Sequence, residues 1–365
     1  MKITFPHMGT SWIGFKTLIE GIGHEVVLPP PPTKRTLDLG TKYAPEFACL
    51  PFKVLLGTYL EAIELGADTI ISSGGVGPCR AGYYTQLQKR ILQEQLGHDV
   101  RVITFEPLNR NWVGTYRIFR DLIRVNLREF IGLLWLTWQK LLALDAIERE
   151  SHRVRPLEVN TGSTSRVVSK AFADIDKADS VKKVKDVTRD NLEKMNSLPQ
   201  DAHRHPLKVG VIGEIYVVLE PFVNLDVVET LGHMGVYVHR SIFLTDWTIE
   251  NTVLDAFRVE GEMNIKKAAR PYLPEMIGGH GQNSIGETIL YAKKGYDGVV
   301  QLAPFTCIPE IVAKSIIPKV SRDYNLPVLT LMLDEQTGKA GISTRLEAFV
   351  DLLAMRRVRL GGEIA

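Results

Sequence analysis

With 365 residues, 45% of them hydrophobic and 24% charged, the chain has globular composition and enough length for two core-bearing domains. Its 44 basic and 42 acidic side chains leave a formal charge of +2, which gives no electrostatic footprint for nucleic acid or an acidic membrane surface. Three cysteines, an odd number, argue against a disulfide framework and leave metal ligation, redox chemistry or plain burial open.

The chain opens on Met1-Lys2-Ile3-Thr4-Phe5, which reads as a strand rather than a signal peptide, so a cytoplasmic protein is expected. Apolar runs between Gly and Pro punctuation predict strands over residues 2–5, 25–28, 68–72 and 100–105. Between residues 111 and 200 strand signals fade and charged amphipathic stretches take over. The most apolar of these, 130–144, is interrupted by Gln139 and Lys140 and falls short of the roughly 18 uncharged residues of a membrane span. Strands are predicted again over 208–212, 236–239, 298–302 and 327–333. Most are continuous Val/Ile/Leu runs, as in a parallel sheet covered by helices on both faces.

The two ends of the chain resemble each other. Leu65-Gly66-Ala67-Asp68-Thr69-Ile70-Ile71 parallels Lys294-Gly295-Tyr296-Asp297-Gly298-Val299-Val300, each a helix closing on Gly before a buried strand. The expected fold is α/β, with two Rossmann-like parallel-sheet domains related by duplication and joined by a helical segment. The boundaries read as 1–110 for the first domain, 111–200 for the helical unit and 201–365 for the second domain.

Two cysteines share a Cys-x-Pro spacing, Cys49-Leu50-Pro51 and Cys307-Ile308-Pro309. Proline suits the first helical turn, so both sulfurs are placed at a helix N-terminus, where N–H groups and the dipole favour a thiolate. Cys79 follows a glycine-rich approach, Ser72-Ser73-Gly74-Gly75-Val76-Gly77-Pro78. It lies 13 residues after Gly66, and Cys307 lies 12 after Gly295, each in the loop past a strand's C-terminal end. Loops at that edge build the sites of open α/β sheets. The paired spacing of a structural zinc site is absent, whereas three cysteines on a [4Fe–4S] cluster would leave one iron open.

Pro304-Phe305-Thr306-Cys307-Ile308-Pro309-Glu310, Asp334-Glu335-Gln336-Thr337 and Thr344-Arg345-Leu346-Glu347-Ala348-Phe349 resemble the 2-hydroxyacyl-CoA dehydratase subunit family. The likeness is closest to its stand-alone acyl-CoA dehydratase activase-related (CoA protein activase) relatives, which Gly213-Glu214-Ile215-Tyr216, Glu220-Pro221-Phe222-Val223-Asn224 and Gly278-Gly279-His280-Gly281 also fit. The resemblance implies a [4Fe–4S] cluster held by Cys49, Cys79 and Cys307. It implies a small acyl or acyl-CoA substrate at the open iron, and an ATP-dependent iron–sulfur activator or other electron donor as partner. In the family the injected electron yields a ketyl radical that eliminates water from a 2-hydroxyacyl-CoA. The expected activity is therefore dehydratase-like, a lyase or reductase. No ATPase motif stands in this chain itself.

Glu214 and Glu220, beyond the first strand of the second domain, and His280 are the candidate acid–base residues. Ser284-x-x-Glu287 and Thr344-x-x-Glu347 read as capping boxes, and Glu310 as a complement to its helix dipole. Two alternatives share these residues: a non-catalytic [4Fe–4S] electron carrier or cluster-binding partner, and a zinc site completed by His7 or His280.

Overall fold

A computed structural model describes residues 1–73, 79–105, 120–249 and 263–361. The protein is mixed α/β, with two four-stranded, wholly parallel sheets. Two compact units contain them. One comprises Met1–Leu141 with Thr245–Gly261, the other Leu142–Leu244 with Glu262–Ala365. The helices read between 111 and 200 are divided between these units.

In the first unit the elements run β1 (Lys2–Thr4), α1 (Trp12–Gly21), β2 (Glu25–Val26), α2 (Lys34–Tyr43), α3 (Leu50–Glu64), β3 (Thr69–Ser73), α4 (Tyr84–Lys89) and β4 (Arg101–Phe105). The strand order is β2-β1-β3-β4, and all four predicted strand regions form strands. Ile3, Phe5, Ile19, Ile22 and Ile103 make one core cluster of the unit. Buried residues run from Leu50 to Ala62 along α3, as its all-round apolar sequence requires. Helix α2 crosses α3 at Gly40 and Gly57. A methyl group on Gly40 would lie 1.7 Å from the Lys53 carbonyl oxygen, and one on Gly57 1.8 Å from that of Thr36. Backbone meets backbone there, and only glycine permits it.

The apolar segment 130–144 is the centre of a longer helix, α5 (Leu127–Val154). Extended to Leu157, this stretch is long and apolar enough by composition to cross a membrane, with a mean hydropathy of 1.4, and 33% of its apolar window is buried inside the protein.

In the second unit α6 (Ser163–Lys177) and α7 (Val181–Asn196) pair ahead of the sheet. There follow β5 (Leu207–Gly213), α8 (Ile215–Leu219), α9 (Val227–His233), β6 (Val236–Arg240), α10 (Gly281–Lys293), β7 (Gly298–Pro304), α11 (Ile308–Asp323), β8 (Val328–Leu333) and α12 (Lys339–Arg359). The order β6-β5-β7-β8 repeats that of the first sheet. Central β7 is buried at every residue. Ile212, Ile285, Ile289, Tyr291, Val299 and Ala313 pack one face of this sheet.

One detail recurs in both units. Asp68 accepts a hydrogen bond from the Lys2 N–H (2.9 Å), and its own N–H donates to the Lys2 carbonyl (3.0 Å). Asp297 and Lys208 make the same two bonds at 2.7 and 2.8 Å. The preceding glycines, Gly66 and Gly295, both have positive φ, +95° and +71°.

Candidate functional site

Each of the three cysteines occupies the N-cap position of a helical element. Cys49 precedes α3, with Pro51 in its first turn; Cys307 precedes α11, with Pro309 in its first turn; Cys79 precedes the short 3-10 turn Arg80–Tyr83. All three have extended backbone, and none uses its sulfur to cap its own helix. Cys49 and Cys307 are buried and Cys79 is half-buried.

The first unit brings two of them onto neighbouring loops. The Tyr84 hydroxyl is hydrogen-bonded to the Cys49 sulfur. Its ring stands edge-on to Phe52, centroids 5.1 Å apart. Arg80, next to Cys79, donates to the Phe47 carbonyl at 2.7 Å, two residues before Cys49. Tyr84 and Arg80 carry no motif, and nothing in the sequence marks them.

Cys307 belongs to the second unit. The residue before it, Thr306, has φ +64°, a left-handed conformation that a β-branched side chain adopts only when its surroundings impose it. The Cys307 N–H turns back to the Pro304 carbonyl at 3.0 Å, closing β7 into the helix start.

The carboxylates at the same edge are held by backbone and side chains. Glu214 is the N-cap of α8 and accepts from the Val217 N–H at 3.0 Å, while its own N–H donates to the Leu302 carbonyl of β7 at 3.3 Å. Glu220 is buried and caps the helical turn Pro221–Asn224, accepting from the Phe222 N–H at 3.3 Å. That bond gives it a structural task. Glu310, read from sequence only as a dipole complement, is fully buried on the inner side of α11. Ser284 Oγ donates to its two carboxyl oxygens at 2.9 and 3.1 Å, and Gln301 Nε2 donates to Oε2 at 2.8 Å. Burial raises the carboxyl pKa of both Glu214 and Glu310 to about 7. For Glu310 the hydrogen bonds from Gln301 and Ser284 oppose the rise, and the charge of Glu214 adds to it.

His280 directly precedes α10, where Gly278 and Gly279 turn the chain with φ of +83° and +51°. The helix starts at Gly281, so Ser284 lies inside it, and its hydroxyl goes to Glu310 rather than capping the helix. Thr344 likewise lies inside α12, which starts at Lys339. Both capping-box readings are corrected. Gly281 touches the first turn of α11: a methyl group on it would come within 2.4 Å of the Pro309 carbonyl oxygen. In the second unit Glu214 follows β5, Cys307 and Glu310 follow β7, and His280 precedes α10, whose first residue lies against the first turn of α11.

Three thiols at helix N-caps suit an iron–sulfur group by donor chemistry. Neither unit alone contains three cysteines. Among the described residues no group of three or more His, Cys, Asp and Glu side chains is gathered as a metal ion requires. Compared with known proteins, the chain matches no family model and no curated protein.

Proposed function

We propose that the protein is an iron–sulfur protein of 2-hydroxyacyl-CoA dehydratase type, binding one [4Fe–4S] cluster through Cys49, Cys79 and Cys307. The observation that carries this reading is the shared N-cap placement of all three cysteines. Such a cluster supplies one iron with an open position, able to act as Lewis acid or electron donor. The substrate would be a small acyl group, as a CoA thioester, and an ATP-dependent iron–sulfur activator or other donor would deliver the electron. Glu214, at the end of β5, and His280, at the start of α10, would be its acid–base groups. Glu220 is a weaker candidate because capping already engages it. The repeated strand order and the paired Lys2–Asp68 and Lys208–Asp297 bonds support two Rossmann-like domains related by duplication. We place the protein in the cytoplasm.

A second reading, an electron carrier without a substrate, is favoured by one feature. Phe47 near Cys49 (70% exposed), and Phe305 (53%) and Ile308 (55%) around Cys307, offer apolar surface suited to a protein partner.

The deciding experiment is anaerobic purification with iron and acid-labile sulfide analysis. About four irons and four sulfides per chain are expected, lost on Cys49→Ser, Cys79→Ser or Cys307→Ser alike. Zinc without sulfide overturns the proposal. With a cluster present, low-temperature EPR of the reduced protein separates the two readings. A spectrum altered by a 2-hydroxyacyl-CoA supports the enzyme, and one that no acyl-CoA alters supports the carrier.

A further inference from the structure

The first half of helix α5 is inside out. Polar groups occupy its inward side: Lys140 is buried and its Nζ donates to the Thr17 hydroxyl of α1 at 3.0 Å, and Thr137, a turn earlier, is buried as well. Its outward side carries Leu127, Ile131, Leu134 and Trp135, which are between 41% and 74% exposed. With 3.6 residues per turn these four share an arc of about 100°, and half-buried Trp138 falls inside it. A helix of a globular protein ordinarily turns such a stripe to the core. Here the core side is already filled. Leu133 and Leu141 pack on Gly21 and Gly14 of α1, where an added methyl group would come within 2.3 and 2.7 Å of them. These contacts tie α5 to the surface of the first unit and exclude a separate spanning helix.

The charge beside the stripe is of one sign. Arg124 and Arg128 are exposed at its start, Arg128 about 60° around the helix from Ile131. The carboxylates nearby are engaged. Glu129, on the far side of the helix, accepts from the Asn126 N–H at 3.3 Å, and Asp121 is paired with Arg101 and Arg120. From Phe130 to Leu144 the one ionisable side chain is Lys140, which faces inward. The formal charge of +2 hides this local excess because it sums over the whole chain.

A second copy of α5 is a poor match for this pattern. In parallel it would set the arginines against their own counterparts. In antiparallel it would bring them to the 141–148 end, where Asp145 is buried and Glu148 is paired with Arg240. An apolar stripe with tryptophan and a cationic margin suits an anionic lipid surface instead. We propose that the first unit docks on an anionic bilayer through this face of α5. Leu127, Ile131, Leu134 and Trp135 enter the boundary between headgroups and acyl chains, and Arg124 and Arg128 meet the phosphates. The docking is peripheral and requires neither cluster nor substrate.

The test is cosedimentation of the full chain with phosphatidylcholine vesicles, with and without phosphatidylserine. Binding is expected on the anionic vesicles only, and it should be lost between about 0.1 M and about 1 M salt. Arg124→Gln and Arg128→Gln should each weaken it about fivefold. The double variant Ile131→Gln, Trp135→Gln should weaken it at least about tenfold. All four side chains are exposed, so an unchanged urea midpoint verifies that the variants fold, and the lipid and salt comparisons need wild type alone. Brominated acyl chains should quench the tryptophan fluorescence of wild type more than that of Trp135→Phe. No binding to anionic vesicles, equal binding to neutral ones, or binding indifferent to the Ile131 and Trp135 substitutions overturns the proposal. A chain that ignores vesicles but forms a dimer which Trp135→Gln dissociates overturns it too, and gives the face to a second copy.

Discussion

At the scale of single residues, Glu310 shows why part of the site was not legible in the sequence. Its position after Cys-x-Pro fits a dipole complement, and that reading needs no partner. The partners are Ser284, 26 residues earlier, and Gln301, nine earlier on a central strand. No local pattern announces either contact. The cysteines were legible because proline fixes where a helix starts, and that is a local rule. Burial of Glu310 also has a consequence for stability. Its pKa is about 7 in the folded chain against 4.5 as an ordinary glutamate, so the folded state binds more protons between those values. Its contribution is fully present below about pH 4.5 and is lost as pH rises through 7. Buried His152 acts in the opposite sense. Its pKa is held well below 6.5, chiefly by burial and next by the charge of Arg240, so it favours the fold as pH rises towards 6.5. The comparison must therefore be differential. Between pH 6 and 8 the unfolding free energy of wild type should fall relative to Glu310→Gln by about 1.4 kcal/mol, read from urea curves at each pH. A gap independent of pH would mean that Glu310 is ionised throughout.

Among the elements, the eight strands were legible because each is an apolar run closed by Gly, Pro or a polar turn. Helix α2 was not. Its sequence, Lys-Arg-Thr-Leu-Asp-Leu-Gly-Thr-Lys-Tyr, is largely polar, and what holds it is the crossing with α3 together with bonds from Arg35 and Thr36 to Glu61. Gly40→Ala and Gly57→Ala each place a methyl group against a carbonyl of the opposite helix and should cost about 1–3 kcal/mol or more. Gly132→Ala, in α5 with open space around it, should gain up to about 1 kcal/mol from helix propensity alone. Thermal midpoints of the three variants test the contrast, and equal shifts would deny the close crossing. Helix α5 allows a similar comparison along its length. Leu144 and Ile147 are buried, whereas Ile131 and Trp135 are exposed. Leu144→Ala should cost about 2–5 kcal/mol, and Ile131→Ala should stay within about 0.5 kcal/mol.

For the whole molecule, the cluster proposal makes a demand that neither unit makes alone. Cys49 and Cys79 belong to the first unit and Cys307 to the second, so one inorganic group bound by all three must link the stabilities of the two. A group that binds only the folded state raises the free energy of unfolding of every part that supplies its ligands. The chain carries a built-in reporter for this. All five tryptophans, Trp12, Trp112, Trp135, Trp138 and Trp247, fall within the segments of the first unit. Tryptophan fluorescence during urea unfolding therefore reports chiefly on that unit and on α5, which continues from it. In iron-free protein Cys307→Ser should leave the fluorescence midpoint unchanged, because no cluster then ties Cys307 to the first unit. After anaerobic reconstitution wild type should unfold at higher urea than its iron-free form, and Cys307→Ser should return the midpoint to the iron-free value although the substitution lies in the other unit. A reconstituted variant that keeps the wild-type midpoint would mean that whatever binds the first unit does so without Cys307, and a three-cysteine cluster spanning both units would be refuted.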